Sequence, residues 1–357
     1  MTLHWPRAWG DPPACGLIRC VPEDFRVSEQ LGFDLSGSGE HVFLHLQKRQ
    51  LNSMELLERI ARLSSVAPKN IGLSGLKDRN AVTRQWFSVG MAGRAEPDWR
   101  LLEADGDVQL LAHGRHARKL RRGVHRANCF NLVVRDVQGD RRAIEQRLQL
   151  LRERGVPNYF GEQRFGRDGS TLEQARRWAA SGGRRITHTK RGLYLSALRA
   201  FLFNTLLAAR VDSGRWNQVL DGDVCLLHGT RSLFHCETVD DDIRTRVLRA
   251  DLHPGLPLWG RGLGIAPGEV GDALQHLLGE HRGICEFLEQ AGLEPAWRPT
   301  RLVADDFCWQ FCDDGSLQLE FALGAGAYAT ALLAEFVLLR QGGAPAGASA
   351  SMTERVK

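Results

Sequence analysis

An aspartate set between two cations is the residue of this chain best placed to do chemistry. Asp78 lies between Lys77 and Arg79, whose charges favour its ionised form at neutral pH. An ionised carboxylate can serve as a nucleophile or as a general base. An aspartate at the tip of a turn also serves simply to stabilise the turn, and spacing alone does not choose between these roles. A second group is basic: residues 113–126, HGRHARKLRRGVHR, carry six Arg or Lys and no acid. Such a run suits a phosphate backbone, and equally a solvated loop. Asn128 and Phe130 follow it. An amide offers a base edge both a donor and an acceptor, and a phenyl ring offers a stacking face; both are also ordinary strand residues. A third group, Asn158 to Gly166 (NYFGEQRFG), is aromatic, glycine-rich and polar at once, which fits hinge packing as well as substrate contact.

Other chemistries lack their residues. GxxxxGK[ST] does not occur, Gly260 to Gly264 lacks the spacing of GxGxxG, and Gly72-Leu-Ser-Gly-Leu76 departs from GxSxG at its last position. HExxH is absent. The acidic runs Asp240–Asp242, Asp305–Asp306 and Asp313–Asp314 could in principle hold Mg²⁺, although such runs are more often solvated loops. The eight cysteines form no CxxC pair, so they read as reduced thiols, mostly core filler, and no metal site is expected. Cys308 and Cys312 are four apart and would share a face if that stretch were helical.

Elements must hold these groups in place. Val42, Leu44 and Leu46 alternate with His41, Phe43 and His45, a strand pattern. A helix follows, with Asn52 as its N-cap, Glu55 closing a capping box, and Met54, Leu57, Ile60 and Ala61 facing inward. A short strand at Ile71, a polar turn centred on Asp78 and a strand from Thr83 come next. A strand is expected over 128–137 and a helix over 140–154, with Ile144, Leu148 and Leu151 inward and Gly155 as its stop. Ser170 with Glu173 should open another helix, and 194–211 reads as a long apolar one. Residues 214–264 are loop-rich around short strands. Strand alternation returns over 301–323, with Leu317, Leu319 and Phe321 on one face, and 327–340 reads as a closing helix.

At 357 residues the chain has room for two domains. Its composition, 43% hydrophobic and 25% charged, is that of a folded soluble protein. Apolar stretches break before the ~18 residues of a membrane span, and the first sixteen residues lack the pattern of a signal peptide. Net charge is +5; of the 47 basic residues only six are lysine. Arginine forks onto phosphate and stacks on bases, but a GC-rich gene produces the same bias.

Several words occur together in a telling order. Gly75-Leu-Lys77-Asp78-Arg-Asn-Ala81-Val-Thr83-Arg-Gln85 resembles the G-x-K-D-x-x-A-x-T-x-Q signature of the TruD family of tRNA pseudouridine synthases. Pro22-Glu-Asp-Phe25, His125-Arg-Ala-Asn128-Cys-Phe130, NYFGEQRFG, Leu195 to Asn204, Pro257 to Gly260 and the stretch from Leu323 to Glu335 match further family blocks in order. The resemblance implies an isomerase without cofactor. It breaks the glycosidic bond of a uridine, at position 13 in the D-arm of tRNA, and rejoins the base through carbon 5. It implies Asp78 as the catalytic residue, and Phe25, Asn128 and Tyr328 as substrate contacts. The family usually has Phe where Tyr328 stands. Phe130 would pack against the flipped base, Arg19 would pair with Asp78, and Lys77 is carried as a neighbour in the substrate site.

The implied fold is α+β: a mixed-sheet pseudouridine-synthase catalytic domain, residues 1–154 and 304–340, with an inserted α+β TRUD domain, 155–303, an arginine-lined cleft between them, and a disordered tail at 341–357. The implied partner is tRNA, with no membrane, no obligate protein partner and a cytoplasmic location. Two other readings are an RNA-binding protein without chemistry and a metal-dependent nuclease built on the acidic runs.

Overall fold

The computed structural model describes residues 4–230, 232–264 and 268–341. The tail from 342 lies outside them. The chain folds as two compact units. One, the sheet unit, comprises Ala14–Gly139, Asp305–Ala325 and Leu338–Lys357; the other, helix-rich, comprises Met1–Pro13, Asp140–Ala304 and Gly326–Val337.

In chain order the first strands are β1 (Ala14–Ile18), β2 (Phe25–Gln30) and β3 (His41–Arg49). Helix α1 (Ser53–Ser64) precedes β4 (Ile71–Leu73), β5 (Val82–Gly90), β6 (Val108–His116) and β7 (Ala127–Gly139). Then come α2 (Arg141–Arg154), β8 (Val156–Pro157), α3 (Ser170–Ala180), α4 (His188–Asp212), β9 (Val224–Leu227) and β10 (Leu233–His235). They are followed by α5 (Asp241–Leu248), β11 (Leu252–Leu258), α6 (Glu269–Gly279), α7 (Arg282–Gln290), β12 (Ala296–Pro299) and β13 (Arg301–Leu302). The chain returns through β14 (Asp305–Phe311), β15 (Leu317–Gly324), α8 (Ala329–Ala334) and β16 (Val337–Gln341).

The sheet unit is built on the order β14-β15-β7-β2-β5-β3-β6, with β1 and β4 added at the side. It is mixed: β2 runs parallel to β5 and antiparallel to β7. Register decides which side chains meet. Lys48 lies opposite Thr83, Thr83 beside Val27, Val27 opposite Phe130, and Phe130 opposite Phe321. Paired residues project from the same face, and alternation adds Leu44, Leu46, Gln85, Glu29, Phe25 and Asn128 to it. Leu56, Leu57 and Ile60 of α1 cover the β3–β5 end of that face; burial of each contributes about 1.5–3 kcal/mol. The other end keeps its polar and aromatic groups. On the opposite face Phe43 packs with Leu31 and Leu120, so β3 is buried on both sides.

In the helix-rich unit α4 is the central element. Its Leu198, Phe203 and Leu207 are fully buried in a core shared with α3, α6 and α7. A four-stranded sheet of order β10-β9-β11-β12 belongs to the same unit.

Several expectations hold and several need correction. Helix α2 forms with Asp140 accepting from Ala143 N and Gly155 at φ +74°, with Ile144, Leu148 and Leu151 inward. Helix α4 runs longer than the expected 194–211 because Thr187 caps it earlier. It is long and apolar enough to span a membrane by length and composition, which apolar-run length did not anticipate. Most of it is buried in the core instead. In α1, Asn52 accepts from Met54 N, but Glu55 turns to Arg59 and Met54 is exposed, Leu56 taking its place inward. Helix α3 takes Gly169, not Ser170, as its N-cap. The expected closing helix over 327–340 is a short helix and a strand, because β16 pairs with β1 and such pairing overrides helix propensity. Cys308 lies on strand β14, so it shares no helix face with Cys312.

Candidate active site

Asp78 sits in the connection from β4 to β5, and that connection is fastened from below. The Gln85 amide donates to Gly75 O, while its oxygen accepts from Ser53 Oγ at 2.8 Å. Ser53 Oγ in turn accepts from Lys77 N at 3.0 Å. One strand residue and the first residue of α1 thus hold both ends of the Gly75–Lys77 segment. The buried ammonium of Lys48 donates to Leu51 O at 2.6 Å and to Asp78 O at 2.9 Å. Burial pushes the Lys48 pKa down to about 8, against the opposing pull of the Asp78 carboxylate.

The side chain of Asp78 points the other way. It is exposed, and its Oδ2 accepts from Arg19 Nη2 at 2.7 Å. Arg19 holds a left-handed φ of +60° directly after β1, and its guanidinium lies 4.2 Å over the Phe25 ring. The Pro22–Asp24 turn sets that ring. Asp24 accepts from Val21 N at 3.0 Å and from Arg135 Nε at 2.9 Å, and Glu23 pairs with Arg49. Asp78, Arg19, Gln50, Arg79 and Asn80 line an open depression of about 620 Å³, within the ~300–1,000 Å³ usual for small-ligand sites.

Lys77 and Arg79 do not flank the carboxylate in space as they do in sequence. Arg79 Nε reaches Gln50 O at 3.3 Å. Lys77 turns inward, 3.1 Å from Glu29 Oε2, and donates to Asn128 Oδ1 at 2.5 Å. Asn128 Nδ2 lies 3.1 Å from Nε2 of buried His125. Phe130 stacks on Phe321 with centroids 5.2 Å apart and meets the edge of Phe25 at 6.2 Å. Aromatic pairs of this kind contribute about 0.5–1.5 kcal/mol beyond burial. The structure therefore gathers Asp78, Arg19, Phe25, Lys77, Asn128 and Phe130 within the sheet unit.

The basic run divides between a strand and a loop. Strand β6 takes its first residues, and Arg118, Arg121 and Arg122 are exposed beyond it. The loop lies tight on β4: a Cβ at Gly72 would stand 2.2 Å from Leu120 O.

Tyr328 belongs to the helix-rich unit. Its hydroxyl accepts from Arg164 Nη2 at 2.6 Å and Nε at 3.1 Å, and Arg164 also donates to Ser196 Oγ at 2.8 Å. The Tyr328 ring meets the edge of Phe160. Arg298 stacks on Phe160 at 4.1 Å and bonds Asn158 and Gly326 O. The NYFGEQRFG word thus packs with the segment that carries Tyr328. The acidic runs have local roles. Asp240 caps α5, Asp241 pairs with Arg244, and Asp314 accepts from Ser316. Among the described residues no three His, Cys, Asp or Glu converge as a metal site would need.

Lys48, Glu29 and Gln85 were not singled out as site residues by sequence reasoning. Lys48 carried a signal: it continues the inward positions Val42, Leu44 and Leu46, where a lysine is out of place without buried partners.

Fold and site together define a mixed-sheet α+β enzyme with a pinned, solvent-facing aspartate. A family model described as tRNA pseudouridine synthase D (TruD) matches residues 7–175 and 171–336. A tRNA pseudouridine synthase D of Methylococcus capsulatus is 45% identical over 93% of this chain and 94% of its own length. Another, of Nitrosococcus oceani, is 46% identical over 92% of each. A crystal structure from Methanosarcina mazei, assigned as a tRNA pseudouridine synthase D, superposes with a TM-score of 0.66 at 19% identity, over 94% of this chain and 96% of that one. The chain belongs to the TruD family, the isomerases that convert uridine in tRNA to pseudouridine.

Proposed function

We propose that Asp78 is the catalytic residue of this uridine isomerisation, acting on the ribose or the base of a nucleotide turned out of the RNA stack. The observation that carries this reading is the opposite treatment of the two ends of Asp78. Its backbone is tied down by Lys48, while its carboxylate faces an open depression with Arg19 as its charged partner. A charge-assisted bond of this kind fixes geometry as well as charge.

Within the same reading Phe25, Phe130 and Asn128 contact the flipped uracil, the rings by packing and the amide by hydrogen bonds. Lys77 belongs to that site through Asn128. Tyr328 is proposed as a stacking surface for the substrate, on the strength of the matching family position. The catalytic domain in this proposal is residues 1–154 and 304–340, with the sheet unit as its main part, and the inserted domain spans residues 155–303. The target is the uridine at position 13 of the tRNA D-arm. The reaction needs no cofactor, the partner is tRNA alone, and the location is cytoplasmic.

The test is a map of pseudouridine in tRNA from a strain lacking the gene, with and without the restored enzyme. Restoration of one pseudouridine in the D-arm supports the reading. An unchanged D-arm, or a pseudouridine restored elsewhere, contradicts the assigned target.

A further inference from the structure

The amide of Asn128 is held from both sides, and its two holders dictate which way it points. Lys77 Nζ is a donor only, so the atom it meets at 2.5 Å is the amide oxygen, Oδ1. The amino group of Asn128 therefore faces His125 Nε2, at 3.1 Å. For that contact to be a hydrogen bond, Nε2 must carry the lone pair and Nδ1 the proton. Glu29, fully buried on β2 opposite Asn128, sits 3.1 Å from the Lys77 ammonium and keeps it in place. Burial holds His125 below the ordinary histidine range, Glu29 opposing and Lys77 reinforcing that shift. His125 has only about 8% of its surface exposed, and its Nδ1 has no hydrogen-bond partner among the described residues.

We propose that Lys77 and His125 are positioning residues that fix the amide orientation of Asn128, leaving one of its N–H groups to read an acceptor oxygen on the flipped uracil. This rests on Asn128 being a substrate contact. Of the two amide protons His125 takes one; of the two oxygen lone pairs Lys77 takes one. One donor and one acceptor remain, in a fixed sense, which suits the alternating carbonyl and N–H edge of a uracil. A cytosine presents a different pattern there. Protonation of His125 turns its Nε2 into a donor facing the amino group. The amide then cannot satisfy both neighbours: if it flips toward His125, its amino group meets the Lys77 ammonium. The charged and titratable groups facing His125 in this arrangement are Glu29 from β2 and Lys77 from the β4–β5 turn.

The test uses the full-length enzyme and unmodified tRNA, with kcat and KM measured across pH. Wild type loses kcat only as pH falls below the ordinary histidine range, because burial holds His125 there, with KM for tRNA little changed. His125→Leu lowers kcat by about 10–100-fold, the scale of losing a buried polar contact. His125→Gln retains an acceptor that does not titrate; it restores most of that loss and moves the acid limb to lower pH. The double variant Glu29→Gln with Lys77→Met leaves neither member of that pair as an unpaired buried charge, and, once its melting curve shows it folded, it lowers kcat by a similar factor. If His125→Gln keeps the acid limb of wild type, or the double variant converts tRNA at the wild-type rate while folded, the inference is overturned. Asn128→Ala separates the two layers: a normal rate in that variant removes the substrate contact itself, whereas a defect there with normal positioning variants removes only the present proposal.

Discussion

A carboxylate in a turn between two strands is common, and what distinguishes Asp78 is the buried lysine beneath it. Lys48 is fully buried and spends its protons on two carbonyls, one of them Asp78 O. Its pKa is lowered from 10.5 to about 8. Below pH 8 it is charged whether the chain is folded or not. Between pH 8 and 10.5 the unfolded chain keeps the proton that the folded one has lost, so stability rises with pH across that window. The gain is roughly 3 kcal/mol for a shift of this size. Denaturation of wild type and Lys48→Met from pH 8 to 10.5 should show wild type gaining on the variant, and parallel curves would assign no such shift to Lys48. Arg19 sits differently. Its pair with Asp78 is about one-third exposed on one side and nearly half on the other, and such pairs add at most about 1 kcal/mol to stability. Arg19→Met should therefore leave the melting temperature within a few degrees while lowering conversion about 10-fold or more. A wild-type rate in Arg19→Met would strip the pair of its role. Chain adjacency alone picked the wrong cations for Asp78, whereas the family resemblance named Arg19, which does pair with it. Lys77 and Arg79 adjoin it in the chain, yet the cation facing it comes from 59 residues away.

Among the elements, β7 and the α1–β4–β5 connection bear most on the site, and they were unequally legible. The turn between β4 and β5 could be read from polar residues between apolar runs. The inward row on β3 could be read from alternation. What could not be read was register, which sets Glu29 opposite Asn128 and Val27 opposite Phe130. Register depends on partners distant in sequence. The short apolar segment after Tyr328 was misread for the same reason: its helical pattern ignores the free edge of β1. In the helix-rich unit the link between α4 and the segment before α8 is the Tyr328 hydroxyl, held by an Arg164 that also bonds Ser196. Tyr328→Phe keeps the ring and leaves the Arg164 guanidinium short of two bonds. It should lower stability by about 1–3 kcal/mol, seen as a lower midpoint in urea. An unchanged midpoint would show the hydroxyl to be idle.

At the scale of the whole molecule, the two compact units and the long buried helix follow from where apolar residues fall along the chain. Where a polyanion would be gripped is a prediction that rests on where exposed arginines fall. Arg118, Arg121 and Arg122 are exposed, whereas Arg115 pairs with Glu96 and Lys119 donates to Lys69 O. Arg118, Arg121 and Arg122 are the ones expected on phosphate. Replacing all three with Ala should weaken tRNA binding and reduce the slope of log K against log salt by about 2. An unchanged slope would return that loop to plain surface.

Everything in the proposed chemistry passes through one carboxylate, so the direct measurement is conversion and binding by Asp78→Asn. The substitution keeps the size of the side chain and removes its charge. Pseudouridine formation in unmodified tRNA should fall below detection, while the Kd for tRNA stays within about threefold, less than 1 kcal/mol. Continued conversion by Asp78→Asn at a rate near wild type would place the chemistry on another residue.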